Sequence, residues 1–258
     1  MDYSSIRSEL TDYYMRTLAV SVENLRGKVY EKLDDFDREN PGLNSMKLKA
    51  QQYRTIAETF EPKLFDHLPF YYETGAIAAY GDGSYGRGGR HADGWIFDRN
   101  NHIVDDRFPE SRRLFSQNIS DILYLTCGPF FDIEHTPIPM KKIFSVGLSG
   151  VYEEAKEALV KCENDEERDF VMAAMAGLES IKLIGEKFAA EARSRLENET
   201  DPENIRCFTM IAETAGRVPW EAPKTFYEGM ATLAFMRKAI GSIEGYGYNS
   251  VGRPDVLI

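Results

Sequence analysis

Cysteine is scarce in this chain. Cys127, Cys162 and Cys207 are odd in number and widely spaced, which excludes a disulfide framework and a C-x-x-C metal or redox pair. Such usage suits a reducing compartment, and the expected location is the cytoplasm. Long apolar runs are missing too: nothing approaches the roughly 18 residues that a membrane span needs, so no membrane partner is expected. Met1-Asp2-Tyr3-Ser4-Ser5 has neither a basic nor an apolar region, so it does not read as a secretory signal. Positive charge is in deficit, with 31 Lys and Arg against 42 Asp and Glu and a formal net charge of -11. Affinity for a phosphate backbone comes from clustered basic side chains, and no basic stripe is visible, so nucleic acid is excluded as a partner.

The familiar catalytic signatures are absent as well. There is no G-K-[ST] to complete a P-loop, no H-E-x-x-H and no G-x-S-x-G elbow. The histidines His67, His91, His102 and His135 show no i, i+4 pairing, so no metal site is expected from the sequence. Gly81-Asp82-Gly83-Ser84-Tyr85-Gly86 matches G-x-G-x-x-G literally, but Arg87-Gly88-Gly89-Arg90 follows. That run does not open the helix whose N-terminus would hold a pyrophosphate, so Gly81–Gly94 reads as a turning loop. No internal repeat or low-complexity tract occurs.

What the chain does contain is apolar and aromatic mass. Its 258 residues are 43% hydrophobic and 12% aromatic, enough for one sizeable core, and the expectation is one domain over residues 1–258. The fold class reads as mainly α. Ile6, Leu10, Tyr14, Leu18, Leu25, Val29 and Leu33 recur at helical spacing from Ser4 to Phe36. Asn40-Pro41-Gly42 ends that element, and a second helix is expected over Ser45–Phe60. Residues 62–110 are irregular, rich in Gly, Pro and aromatics, with short strands expected at Ile77–Tyr80 and Trp95–Phe97. Helices return at Ser111–Tyr124 and at Met140–Cys162, where Gly147 and Gly150 either permit close packing or divide the helix. Asn164 or Asp165 caps a long helix reaching about Asn198. Asp201-Pro202 starts another, ended by Gly216. Thr225-Phe226-Tyr227-Glu228 fits a capping box opening a last helix to about Gly241. The stretch Ile243–Ile258 is rich in glycine and aromatics, which suits a strand or loop entering a pocket and not a frayed terminus.

His135 is the best single histidine. It lies in Asp132-Ile133-Glu134-His135-Thr136-Pro137, between the Gly128-Pro129-Phe130-Phe131 turn and a helix start. From position alone it either faces a cavity or bonds backbone at the helix entrance.

Several segments together resemble the glycyl-radical enzymes of the pyruvate formate-lyase-like family. They are His135-Thr136-Pro137 with Val146-Gly147-Leu148-Ser149-Gly150-Val151, Lys187-Phe188-Ala189, Glu199-Thr200-Asp201-Pro202 and Ile211-Ala212-Glu213. Val218-Pro219, Ala222-Pro223-Lys224-Thr225-Phe226-Tyr227-Glu228 and a terminal S-x-G-R-x-D, Ser250 to Asp255, complete the set. Their order and spacing agree with the family over about Glu134–Asp255. Departures are Glu134, where glycine is common, and Val256-Leu257 in place of a Gln-Tyr pair.

The resemblance implies a role and a context. The chain would be the helical N-terminal part of an α/β barrel, with few short strands, in a lyase, dehydratase or transferase of anaerobic metabolism. His135 and Ser250 would line the substrate cavity, and Arg253 and Asp255 would support it by bracing its backbone. The glycyl radical and the thiyl cysteine would lie on a segment beyond Ile258, so the chain is expected to be truncated and inactive alone, with no cofactor of its own. Implied partners are a small-molecule substrate, a radical-SAM activating enzyme, a complementing C-terminal polypeptide and a second copy in a homo-oligomer. The alternative is a stand-alone helical module that binds a small ligand or another protein without catalysis.

Overall fold

A computed structural model of the chain describes residues 3–74 and 138–244. These residues form seven α-helices and one π-helical turn. In chain order the helices are α1 (Tyr3–Asp12), α2 (Leu18–Glu39), α3 (Ser45–Thr59), α4 (Met140–Val160), α5 (Asp165–Leu196), α6 (Pro202–Thr214) and α7 (Phe226–Glu244). The mainly α expectation holds for the described residues. Among them the only ladder-like pairing is an isolated antiparallel bridge between Lys63 and Glu73, inside irregular chain. The expected strands at 77–80 and 95–97, the helix at 111–124 and the glycine loop at 81–94 lie outside the described residues.

The helix starts are set by side chains that satisfy the otherwise orphaned first N–H groups. Asn44 accepts from the Lys47 N–H at α3. Asn164, and not Asp165, caps α5 by accepting from the Glu167 N–H at 2.9 Å. Asp201 accepts from the N–H groups of Glu203 and Asn204, with Pro202 in the first turn where its missing N–H costs nothing. At α7 the Thr225 hydroxyl accepts from Glu228 N–H at 3.2 Å. The glutamate of this box reaches one residue further back than expected, to the Lys224 N–H. Glu167 does the same at α5, accepting from the Glu163 N–H.

The first long element differs from its sequence reading. It runs from Tyr3 to Glu39 but is interrupted by a π turn over Tyr13–Thr17. One extra residue in a turn rotates everything before it relative to everything after. Leu25, Val29 and Leu33 keep the expected inward face, whereas Tyr13 is buried against Phe65.

The centre of the packing is α5, which lies against α3, α4, α6 and α7. Its inward face carries Ala173, Ala176, Gly177, Ile181, Ile184, Gly185, Phe188, Ala189 and Ala192. Small residues let neighbouring backbones come close. A Cβ at Gly185 would stand 2.5 Å from the Ala215 carbonyl oxygen. Phe188 sits at the hub of the core, its ring packed on Phe60, Tyr71 and Phe235. Full burial of such a side chain contributes about 1.5–3 kcal/mol.

Candidate functional site

The four residues singled out from the sequence, His135, Ser250, Arg253 and Asp255, lie outside the described residues. What the structure does describe is where the stretches carrying them join the helical body. His135 stands three positions before Ile138, and Ser250 six positions after Glu244. Ile138 and Ile243 are both buried in the same main core.

A buried polar constellation of that body lies where residues 71–74 meet the last turns of α7. Glu73 is completely buried. Its Oε2 accepts from the Tyr14 hydroxyl at 2.7 Å and from Lys238 Nζ at 3.0 Å. Tyr14 is presented by the π turn, and the Lys238 ammonium also lies 5.8 Å from the centre of its ring. Burial first, and then the Glu73 charge, push the Tyr14 phenol far above its ordinary range. Burial likewise pushes the Tyr72 phenol up. Tyr14 is therefore a neutral donor at any ordinary pH. One residue further on, the Thr74 and Ser242 hydroxyls share a buried hydrogen bond of 2.5 Å, and Ser242 also donates to the Lys238 carbonyl at 2.7 Å. Gln52 of α3 donates to the Ile243 carbonyl at 2.9 Å. The chain's exit at residue 74 and its exit at residue 244 are thus held side by side.

Sequence reasoning missed this cluster. The available signal was a lone carboxylate in the aromatic run Phe70-Tyr71-Tyr72-Glu73-Thr74, which is unusual because an acid is seldom fully buried without a partner. Its partner Lys238 is 165 positions away, so no local pattern could pair them.

The segments that carried the family resemblance prove to be builders of the helical junction. Lys187 Nζ donates to the carbonyls of Ala57, Glu58 and Phe60, closing the C-terminal end of α3. Phe188 and Ala189 are core. Gly147 divides α4, with φ 68 and ψ 176. Leu148 and Ser149 N–H groups then reach the carbonyls of Pro219 and Trp220, each at 2.9 Å. Two distant motifs, G-x-x-G and Val218-Pro219, are therefore one contact. Arg217 pairs with Glu228. Burial opposes the charge on Glu228, but the Lys224 N–H and the Arg217 guanidinium outweigh it and hold its pKa below the usual range.

Cys207 is buried and its thiol is pushed up by that burial. The Cys162 thiol, two residues past α4, donates back to the Ala158 carbonyl of its last turn at 3.4 Å. Cys207 is a core residue, whereas Cys162 is only half-buried just past the end of α4. Among the described residues no three His, Cys, Asp or Glu side chains gather as a metal site, and no helix is long and apolar enough to cross a membrane.

A mainly helical body, glycine-hinged at α4 and closed at α3 by Lys187, matches a known class. Residues 98–258 match the family of pyruvate formate lyase-like proteins. The chain belongs to that family. It is 31% identical over 101 residues to isethionate sulfite-lyase from Desulfovibrio desulfuricans, an alignment covering 37% of this chain and 12% of the relative. Its fold is similar to the glycerol-bound B12-independent glycerol dehydratase from Clostridium butyricum, with TM-score 0.63 at 17% identity. That match covers 92% of this chain and 36% of the other. It is also similar to hydroxyproline dehydratase from Clostridioides difficile with trans-4-hydroxy-L-proline bound, TM-score 0.59 at 14% identity, again over 92% and 36%. The chain thus spans about a third of the length of these solved structures.

Proposed function

We propose that these residues form the helical N-terminal part of a glycyl-radical lyase of the dehydratase type, and that they supply one wall of its substrate cavity. The observation that carries this reading is the family match over residues 98–258, a range that contains both the His135-Thr136-Pro137 segment and the Ser250-to-Asp255 signature. In this reading His135 and Ser250 contact substrate, while Arg253 and Asp255 brace the backbone behind them. Arginine is a planar fork donor and aspartate an acceptor, so the last two suit a structural pairing. The barrel that the wall faces, the radical glycine and the hydrogen-abstracting cysteine belong to polypeptide outside these 258 residues. Cys207 serves packing. A radical-SAM activating enzyme, a complementing C-terminal polypeptide and a second copy of the chain are the partners this reading requires or favours.

The substrate class follows from shared chemistry. Isethionate, glycerol and hydroxyproline, named for the relatives above, each carry a hydroxyl group on a small polar skeleton. A histidine at the position of His135 is suited to hold such a hydroxyl, because imidazole can donate or accept. Helical packing around the cavity excludes water from a reactive intermediate.

The test is to purify the native protein without oxygen, record its intact mass, and assay it on isethionate, glycerol, propane-1,2-diol and trans-4-hydroxy-L-proline. Turnover of a hydroxylated substrate is expected only from a polypeptide well above 29.4 kDa, or from a complex with a second chain. His135→Ala should remove that turnover. Turnover by the 258 residues alone would overturn the reading.

A further inference from the structure

The Glu73 cluster does more than fill the core. We propose that Glu73 and Lys238 are positioning residues. Their ion pair, with the Thr74–Ser242 hydroxyl pair, clasps residues 71–74 onto the end of α7 and fixes where the chain leaves the helical body at residue 74 and again at residue 244, ahead of Ser250. The consequence for substrate rests on the reading above; the clasp itself does not.

Three observations carry it. First, the cluster is expensive to bury. Glu73 is fully out of water, and replacing a buried ion pair by well-packed apolar side chains is often neutral or stabilising. A pair retained there is better explained by the unique register it imposes than by stability. Second, the contacts are arranged as a row. The Glu73 carboxylate meets Lys238, the Thr74 hydroxyl meets Ser242 one turn on, and Gln52 holds the Ile243 carbonyl just beyond. Lys63 N–H pins the Glu73 carbonyl from the other side at 3.0 Å. Sliding residues 71–74 by one position would take the Glu73 carboxylate from Lys238, the Thr74 hydroxyl from Ser242 and the Glu73 carbonyl from Lys63 together. Third, the π turn gives up regular helical hydrogen bonding at the element that presents the Tyr14 hydroxyl to Glu73. Such turns are frequent at functional sites.

The experiment is hydrogen exchange read by mass spectrometry on the full chain, with and without glycerol as a probe. Glu73→Gln should speed exchange of the peptide covering 245–258 at least tenfold, although that peptide is far away in sequence. Lys238→Met should do the same for the peptide that begins at residue 75, and Lys238→Arg, which keeps the charge, should hold it near wild type. Lys187→Met, a destabilising change outside the cluster, is the control. If Glu73→Gln lowers stability but changes exchange of 245–258 no more than Lys187→Met does, the clasp is wrong. Exchange is read without ligand as well. Faster exchange of 245–258 in the clasp variants supports the clasp whether or not glycerol slows exchange in the wild type, and the substrate class stands or falls separately on the turnover assay.

Discussion

Lys187 shows what single side chains do in this body. A lysine in the middle of α5 would ordinarily be a solvated surface group. Here its ammonium lies 4.4 Å from the centre of the Phe60 ring and donates to three carbonyls at the end of α3. Those carbonyls have no helical partner, and they form the negative end of the helix dipole. The position costs the lysine hydration, and burial lowers its pKa. Lys187→Met keeps the aliphatic stem and removes the donors, leaving the carbonyls to whatever water can reach them. Stability should fall by about 1–2 kcal/mol, from lost end-capping and unmet acceptors together. Chemical denaturation of the two proteins checks this through the urea midpoint, with an unchanged slope. The sequence marked Lys187-Phe188-Ala189 as carrying the family resemblance, but it could not say that the lysine serves another helix 127 positions upstream. Contacts of that range are invisible to any local periodicity.

At the level of the element, the break in α4 decides how the helix meets its neighbour. Gly147 has a backbone conformation open essentially to glycine alone, which costs other residues about 1–3 kcal/mol. A Cβ there would also stand 2.4 Å from the Trp220 carbonyl oxygen and 2.7 Å from the Ala222 nitrogen. Both atoms are backbone, so neither can swing aside. Gly147→Ala should therefore cost at least about 2 kcal/mol, and it should free the Leu148 and Ser149 amides from Pro219 and Trp220. Hydrogen exchange at those two amides, measured beside the melting temperature, tests both halves of the claim. The sequence offered close packing or a division of the helix at this glycine, and the structure has both at once. Helix starts were equally legible, because Asn164, Asp201 and Thr225 act within three residues of themselves. The π turn at Tyr13–Thr17 was not legible. Its cause is tertiary, the burial of Tyr13 on Phe65 together with the reach of Tyr14 to Glu73, and the heptad-like apolar spacing on either side continues as if nothing intervened.

For the whole molecule the decisive fact is that one core is shared between two stretches of chain. Val29, Ile56, Phe60 and Tyr71 belong to residues 3–74, and Ile184, Phe188, Phe208 and Phe235 belong to residues 138–244. The Tyr71 hydroxyl bonds to the Val218 carbonyl at 3.0 Å, and the Tyr227 hydroxyl to the Pro69 carbonyl at 2.6 Å. Neither stretch can bury its apolar face without the other, since an amphipathic helix gains most of its stability from the surface it packs against. Joining the two covalently adds a loop-closure term that grows only slowly with length. Residues 1–74 and 138–258 produced together as separate polypeptides should therefore co-elute as one helical species. Each alone should elute as an unfolded or aggregated chain with weak circular dichroism at 222 nm. Independent folding of residues 138–258 would show that the first three helices are an appendage. The domain organisation read from the sequence, a single unit, would then need a boundary near residue 75. Joint folding would place the clasp at Glu73 and Lys238 inside a single cooperative unit, where a change at either residue is felt at both exits.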